Sequence, residues 1–268
     1  CAVQEQMPLL RVEGLTKSFV GLQALQAVSF TLHAGEIVGL IGPNGAGKTT
    51  CFHLLTGFLR PTTGSVYLGQ QRLTGRSPAQ VARLGIARTF QNIRLFGTLS
   101  VLENVQTAAQ LRKPSSLWAT LISAATFRRQ EAAIKEHAYE LLKLLDLTAY
   151  AEQPAGSLPY GHQRRLEIAR ALAIEPTLLL LDEPAAGMNP AESDALHHLL
   201  LDLRQRFQLT ILLVEHDMRL MMNLCERILV LNEGKLIASG SPAAVRAAPQ
   251  VIEAYLGRTL EPEGGRHA

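Results

Sequence analysis

Long hydrophobic runs, cysteines and aromatic side chains are all scarce in this sequence of 268 residues. No apolar run approaches the roughly 18 to 20 residues that a transmembrane helix requires, and the N-terminus lacks the charged-then-apolar pattern of a signal peptide. The chain is therefore not expected to cross a membrane by itself. Cysteine occurs only at positions 1, 51 and 225, which argues against a disulfide framework or a metal-ligand spacing and favours a reducing compartment.

The excess of basic over acidic side chains is also small. The formal net charge is +3, from 26 basic and 23 acidic side chains, and the basic residues form no concentrated stripe of the kind that binds nucleic acid. No nucleic-acid partner is therefore expected. Hydrophobic residues, in contrast, make up 47% of the chain, which is sufficient for a sizeable core in one large or two closely joined lobes.

The clearest motif is a glycine-rich loop between a predicted strand and a predicted helix. The apolar run 36–41 stops at Gly42, and GPNGAGKTT leads into a helix predicted from about Lys48 to Leu55. The loop fits G-x-x-x-x-G-K-[ST], in which backbone amides and the helix N-terminus face phosphate oxygens. Lys48 is expected to reach the β- and γ-phosphates and Thr49 to ligate Mg2+; the alternative is an ordinary glycine turn. The expected nucleotide ligands are Gly42, Pro43, Asn44, Gly45, Ala46, Gly47, Lys48, Thr49 and Thr50.

Two acidic residues follow a second predicted strand. The run 178–181 consists of leucine alone, as in strands buried on both faces, and Asp182 and Glu183 come directly after it. Asp182 is a candidate Mg2+ ligand, and Glu183 is placed to polarise an attacking water. The alternative is that both acids merely cap a helix that Pro184 could begin. The strand predicted at 210–214 similarly ends at Glu215 and His216, which indicates an α/β sheet with ligands at the carboxyl ends of its strands.

The order of these motifs resembles that of ABC-transporter ATP-binding subunits, over nearly everything from Leu9 to Gly257. Besides the two motifs above, the sequence has Gln91 in TFQN, the segment SLPYGHQRRLEIARAL and His216 in VEHD. The resemblance implies an α/β P-loop fold of ABC type, with a mixed sheet core, an N-terminal antiparallel β portion and a helical signature subdomain at about 92–175. One ATP-binding domain is expected at 9–257, between a disordered segment 1–8 and a flexible tail 258–268.

The resemblance also implies residue roles. Gln91 would join the metal ligands Thr49 and Asp182 and couple them to the membrane subunits, and His216 would sense the γ-phosphate. The catalytic set is then Lys48, Glu183 and His216. Phe19 would stack on adenine, although a core position is the alternative. The signature residues, which would close over ATP held by a second subunit, are Ser157, Tyr160, Gly161 and His162.

The implied cofactors are ATP and Mg2+. The implied partners are a second ATP-binding subunit, identical or different, integral-membrane permease subunits and, indirectly, an extracytoplasmic substrate-binding protein. These partners would place the chain peripherally at the cytoplasmic face of the inner (plasma) membrane. A permease helix is expected to dock at 91–96, where Leu95 and Phe96 would be exposed together; the alternative is that both are buried in a helical lobe.

Two positions depart from the family pattern. The signature usually reads LSGGQ, but residues 158–162 read LPYGH. Pro159, which has neither a hydroxyl nor an amide hydrogen, thus replaces the serine that donates to the γ-phosphate, and closure is expected to be slower or weaker with hydrolysis retained. Asn189 stands where the family often has aspartate, and the sequence does not indicate what this change does.

Several segments resemble one subfamily, the first ATP-binding subunit of branched-chain amino-acid importers. These are the Tyr before Gly161, DEPAAGMNP, EHDM, SLWATLISAATFRR and AYLG. Import of branched-chain amino acids or similar small amide/amino-acid solutes is therefore favoured, with a lipopolysaccharide-export or urea/amide ABC system as the alternative.

Other classes of P-loop protein fit less well. A DNA-maintenance ATPase would have long heptad-patterned arms, a translation-type ABC protein would have two cassettes, and a GTPase would have N-K-x-D. A non-enzymatic nucleotide sensor is disfavoured by the intact Lys48, Asp182, Glu183 and His216.

Overall fold

The computed structural model describes residues 7–111, 124–215 and 218–256. His216, residues 1–6, the predicted tail 258–268 and most of SLWATLISAATFRR lie outside these ranges. The chain divides into two compact units, one formed by 1–77 with 194–268 and the other by 78–193. Within the described ranges, no helix is both long and apolar enough to cross a membrane.

The first unit carries two sets of strands. Its elements are β1 (Leu10–Phe19), β2 (Leu22–Leu32), β3 (Ile37–Ile41), α1 (Lys48–Leu55), β4 (Thr63–Leu68) and β5 (Gln71–Arg72), and, after the second unit, β8 (Thr210–Val214), α7 (Met218–Leu224), β9 (Arg227–Asn232), β10 (Lys235–Gly240), α8 (Pro242–Ala247) and α9 (Pro249–Leu256). The antiparallel set runs β2-β1-β4-β5. β3 pairs in parallel with β8 and β9, and β10 is antiparallel to β9.

Apolar composition explains the central position of β3. All five residues of β3 and all five of β8 are buried, as expected for parallel strands covered on both faces. Gly39, in the middle of β3, pairs with Leu213 and Ile228. A Cβ at Gly39 would lie 2.2 Å from the Met221 side chain, so glycine allows α7 to pack closely on this strand.

The second unit combines a short parallel strand pair with helices. Its elements are α2 (Pro78–Arg83), β6 (Ile86–Arg88), α3 (Val101–Ala109), α4 (Ala124–Leu144), α5 (Tyr160–Leu172) and β7 (Leu178–Asp182), with single 3-10 turns at Thr148–Tyr150 and Ala155–Ser157; α6 (Pro190–Phe207) begins in this unit and continues into the first. β6 and β7 are parallel, with Arg88 opposite Leu180. α3 packs against α4 and α5. It starts with a capping box, in which Ser100 and Glu103 bond each other's backbone amides.

Most predicted elements agree closely with the structure. The helix predicted at 48–55 and the strand at 210–214 have the observed bounds. α4 runs from Ala124 to Leu144, and a hairpin joins β1 to β2. The antiparallel N-terminal strands, the mixed sheet and the helical second unit confirm the predicted fold class.

Candidate active site

The phosphate loop lies in the first unit, between β3 and α1. Lys48 is 7% exposed, and its ammonium donates to the carbonyls of Gly42 and Pro43 at 2.6 and 3.0 Å. Gly47 precedes α1 at φ 104°, and no side chain caps the helix there. The first amides of α1 therefore face outward without a side-chain cap, which is the arrangement that binds anions at a helix N-terminus.

Phe19 lies at the tip of the β1–β2 hairpin. It pairs with Leu22 across a two-residue turn, the residue is 44% exposed, and the Lys17 ammonium lies 5.0 Å from the ring centroid. The alternative that Phe19 belongs to the core is therefore wrong. An exposed ring in this first unit can accept a stacking partner, as the sequence predicts for adenine.

The two acids lie at the carboxyl end of β7, in the second unit, and differ in exposure. Asp182 is buried at 3%, while Glu183 is half-buried and has a left-handed backbone, with φ 49°. A left-handed non-glycine residue is strained, and such residues cluster at functional sites. The chain then turns through 184–187, and the next helix begins only at Pro190. The interpretation that the acids cap a helix starting at Pro184 is therefore wrong.

Residues 88–91, at the end of β6 and directly after it, contact both acids. Arg88 Nη2 lies 2.8 Å from Asp182 Oδ2, with both side chains 4% exposed. Gln91 Nε2 donates to Glu183 Oε2 at 2.8 Å. Thr89 adds a backbone link, because its amide donates to the Leu180 carbonyl at 3.0 Å. The structure thus brings the side chains of Gln91 and Glu183 together, and it adds Arg88, which sequence reasoning missed.

The signature segment leads into α5. Pro159 is the N-cap residue, with φ −54° and ψ 150°, and no side chain caps the helix. The Tyr160 hydroxyl accepts from Arg164 Nε and Nη2 at 3.2 and 3.0 Å. A Cβ on Gly187 would lie 3.3 Å from the Tyr160 ring. Tyr160 therefore contacts the segment that follows the paired acids.

Arg164 and Glu167 tie α5 to the backbone around Gln91. Arg164 is 3% exposed, and it donates to the carbonyls of Phe90 and Gln91 and to Glu167 Oε2. Glu167 accepts from the Arg94 amide at 2.9 Å. Burial raises the pKa of the Glu167 carboxyl, whereas the Arg94 amide and Arg164 act to lower it. The sequence signal for this pair is two opposite charges three positions apart, a spacing that places them on one face of a helix.

The predicted docking segment is partly exposed. Phe96 is 47% exposed, Leu95 is half-buried and Arg94 is exposed. Asn104, fully buried, fixes this turn by bonding the Phe96 amide and carbonyl, both at 3.0 Å. The alternative that both Leu95 and Phe96 are buried is wrong, since neither residue is buried; of the two, only Phe96 is exposed, and Leu95 is half-buried.

Asn189 caps the N-terminus of α6. Its side-chain oxygen accepts from the Glu192 amide at 2.9 Å, and its amide donates to Glu192 Oε2 at 3.0 Å. This is a capping box at the start of α6, with Pro190 at the first helical position. Asparagine is as good an N-cap as aspartate, so the departure from the family pattern preserves the cap.

The donors suit a Mg2+ ion that is held jointly with nucleotide phosphates. Magnesium takes hard oxygen ligands, commonly one or two carboxylates together with substrate phosphates. Asp182 supplies a buried carboxylate that already carries a cationic partner, and Thr49 and Gln91 supply exposed oxygen atoms. In the described part of the chain, no cluster of three or more His, Cys, Asp and Glu side chains could hold a metal alone. Each of these side chains, Thr49 in the first unit and Gln91 and Asp182 in the second, is therefore of a type that fits Mg2+ bound together with nucleotide phosphates.

Comparison with known proteins identifies the family. A family model described as ABC transporter matches residues 25–186 of this chain. The chain belongs to the ABC transporter family. The prediction of an ATP-binding and ATP-hydrolysing ABC subunit is confirmed, and a second model, described as branched-chain amino acid ATP-binding cassette transporter, matches residues 235–260.

Several curated relatives resemble this ABC protein over almost their whole length. The high-affinity branched-chain amino acid transport ATP-binding protein LivG of Escherichia coli (strain K12) is 46% identical over 250 residues, which cover 93% of this chain and 98% of LivG. Its counterpart BraF of Pseudomonas aeruginosa is 45% identical, with the same coverage. The lipopolysaccharide export system ATP-binding protein LptB of Acidithiobacillus ferridurans is 35% identical over 93% of this chain and 97% of LptB. The lipopolysaccharide-export alternative is therefore not favoured.

Solved structures of ATP-binding cassettes are also similar in fold to this chain. An ATP-binding cassette of an ABC transporter in its ADP conformation has a TM-score of 0.80 and 32% identity, over 94% of this chain and 99% of that chain. A dimeric ATP-binding cassette in a post-hydrolysis state, bound to ADP and Pi, has a TM-score of 0.74 and 25% identity, over 87% of this chain and 98% of that chain.

Proposed function

We propose that this ABC ATPase powers the import of branched-chain amino acids or similar small amide/amino-acid solutes. The observation that carries the proposal is the 46% identity to LivG over 98% of that protein, joined by the match of residues 235–260 to the branched-chain amino acid cassette model. The transported solute does not contact the ATP-binding chain itself, so the proposal rests on family relationship rather than on a solute site.

For the hydrolysis step, we assign the chemistry to positioning and charge neutralisation. Lys48 already points its ammonium at the loop carbonyls of Gly42 and Pro43, and it would transfer these hydrogen bonds to the β- and γ-phosphates. Bound Mg2+, held by Asp182, Thr49 and Gln91, would neutralise phosphate charge. Glu183, whose carboxylate Gln91 holds at 2.8 Å, would orient the attacking water, and His216 would sense the γ-phosphate.

Closure would require a second ATP-binding subunit. Two subunits would sandwich two ATP molecules head to tail, so that Ser157, Tyr160, Gly161 and His162 of one face the phosphate loop of the other. The uncapped N-terminus of α5 supports this role, because its amides can face an anion. ATP binding would draw the permease helices together, and hydrolysis with phosphate release would reopen the pair. The chain would then act peripherally, at the cytoplasmic face of the inner membrane.

Replacing Pro159 by serine is expected to speed closure. Serine is a favoured N-cap residue, and at this extended position it would restore a hydroxyl that can donate to the γ-phosphate of the facing ATP. One charge-assisted hydrogen bond predicts a gain of roughly three- to tenfold in ATPase rate or dimer lifetime. Phosphate release and size-exclusion chromatography with ATP measure the two quantities. Pro159→Ala is the matched control, since it restores the amide hydrogen without a hydroxyl; equal behaviour of the serine and alanine variants would refute the role of the hydroxyl.

Partner identification tests the proposed transport function. The tagged chain is purified from gently solubilised membranes, and co-purifying proteins are identified by mass spectrometry. Two multi-span permeases, a second ATP-binding subunit and an amino-acid-binding protein are expected. A lipopolysaccharide-export set would reject the amino-acid assignment, and exclusively soluble partners would reject a role in transport.

Reversing the charge of Arg94 tests, in the same experiment, whether the permease docks at residues 91–96. Arg94→Glu is expected to lower permease recovery because Arg94 is exposed beside Phe96, in the segment that follows Gln91. Arg83→Glu changes an exposed arginine on α2 and serves as the control. Equal recovery with both variants would exclude docking through Arg94.

A further inference from the structure

The ion pair between Arg88 and Asp182 is the most buried contact at the paired acids. Its donor and acceptor atoms are 2.8 Å apart, and each side chain is 4% exposed. The pair joins the last residues of two neighbouring parallel strands, β6 and β7. The Phe90 ring, 4.9 Å from the Arg88 guanidinium carbon, lies against the same group. Water therefore has little access to either charge.

A buried carboxylate needs a compensating charge or a change of protonation state. In the structure, Arg88 supplies that charge to Asp182. Any cation that ligates Asp182 must approach an oxygen atom next to a guanidinium, and the two like charges repel at short range in a site that water screens poorly. Arg88 and a divalent cation therefore compete for one carboxylate.

The same short segment restrains the second acid. Gln91, three residues after Arg88, donates to Glu183 at 2.8 Å, and the Asp182 amide approaches Thr89 Oγ1 at 3.4 Å. Residues 88–91 therefore hold the metal carboxylate and the water-orienting carboxylate together. A shift of Arg88 away from Asp182 would be transmitted directly to the residue that contacts Glu183.

We propose that Arg88 is a positioning residue, whose guanidinium neutralises Asp182 in the metal-free protein and weakens divalent-cation binding there. The proposal rests on the assignment of Asp182 as a metal ligand. It implies that metal binding with nucleotide displaces Arg88 and so releases residues 88–91 from their resting arrangement. The cost of displacing Arg88 would then set the magnesium concentration at which the ATPase is half-activated.

Metal affinity and thermal stability together test the proposal. Mn2+ is titrated into protein saturated with a non-hydrolysable ATP analogue, and bound metal is measured by electron paramagnetic resonance. Arg88→Gln is expected to bind Mn2+ roughly five- to tenfold more tightly than wild type, because the competing charge is gone. Its metal-free melting temperature is expected to fall, since Asp182 loses its partner, while the rise in melting temperature caused by Mn2+ and the analogue becomes larger. A merely structural loss would lower stability without tightening metal binding.

Three further variants separate the possible outcomes. Arg83→Gln, an exposed arginine in the same unit, is expected to match wild type in both measurements. Arg88→Lys keeps the positive charge but loses the planar guanidinium group. Its Mn2+ affinity is expected to lie between that of wild type and that of Arg88→Gln. If Arg88→Gln does not fold, Arg88→Lys must still bind Mn2+ more tightly than wild type. Unchanged or weaker Mn2+ binding by the folded Arg88 variants overturns the proposal.

Asp182→Asn distinguishes failure of this proposal from failure of the site assignment. Loss of Mn2+ binding in Asp182→Asn, with unchanged binding in Arg88→Gln, rejects only the role of Arg88. Wild-type Mn2+ affinity in Asp182→Asn rejects the metal assignment itself, and with it the basis of the proposal. In the double variant, the Arg88 substitution should no longer tighten Mn2+ binding, because the shared carboxylate is absent.

Discussion

Glu183→Gln is expected to cut ATP hydrolysis by roughly a hundredfold or more while ATP binding stays intact, because an amide cannot polarise the attacking water. The loss corresponds to about 3 kcal/mol of barrier. The substitution keeps the shape of the side chain, and a glutamine carbonyl can still accept the hydrogen bond that Gln91 now donates to Glu183. The left-handed backbone, φ 49°, is equally unfavourable for glutamate and glutamine, so the substitution adds no new strain. Single-turnover phosphate release and equilibrium ATP binding measure the two parts of this prediction.

Dimer formation by Glu183→Gln gives a second readout. A variant that binds ATP without hydrolysing it should accumulate as a closed dimer, which size-exclusion chromatography detects in the presence of ATP. Glu233→Gln is the matched control, because Glu233 is an exposed glutamate that also has a left-handed backbone, with φ 47°; it should hydrolyse ATP like wild type. Wild-type turnover by Glu183→Gln would remove Glu183 from the catalytic set.

Local sequence signals account for the predicted positions of the phosphate loop and of the paired acids. The phosphate loop follows from a continuous apolar run at β3, closely spaced glycines and a helix start at Lys48, all within about twenty residues. The leucine run at β7 similarly predicts a strand that is buried on both faces and delivers Asp182 to its end. The N-cap at Asn189 also had a local signal, since asparagine, proline and glutamate occupy the cap, first and third helical positions.

Contacts between distant segments could not be predicted in this way. Arg88 and Asp182 are 94 positions apart, and they meet only because β6 and β7 pair in parallel. A strand of three residues, such as β6, has too little periodicity to be recognised. The hydrogen bonds from Arg164 to the backbone around Gln91 likewise depend on how α5 packs. The left-handed conformation of Glu183 has no sequence signal, because the surrounding structure imposes it on a residue that does not favour it.

Gly47→Ala is expected to weaken ATP binding by roughly a hundredfold, since the phosphate loop has no space for a methyl group at this position. A Cβ there would lie 2.6 Å from the Ala24 carbonyl oxygen and 2.8 Å from a Leu25 methyl carbon. The backbone φ of 104° is also unfavourable for alanine. The loop must move to relieve this contact, and the movement displaces the backbone amides and Lys48 from the phosphates. A hundredfold loss in ATP affinity corresponds to about 3 kcal/mol. Equilibrium binding of a fluorescent ATP analogue measures the effect.

Gly45→Ala separates this contact from backbone strain alone. Gly45 lies in the same loop with φ 80°, but a Cβ there would meet no atom within 4 Å. The expected loss is about 1 kcal/mol, or roughly fivefold to tenfold in affinity, because only the left-handed conformation is penalised. Both variants should melt cooperatively, which shows that they fold, and Gly47→Ala should melt at the lower temperature because its added methyl group meets buried Leu25. Equal losses in the two variants would show that conformational strain, and not the close approach to Ala24, makes glycine necessary at position 47.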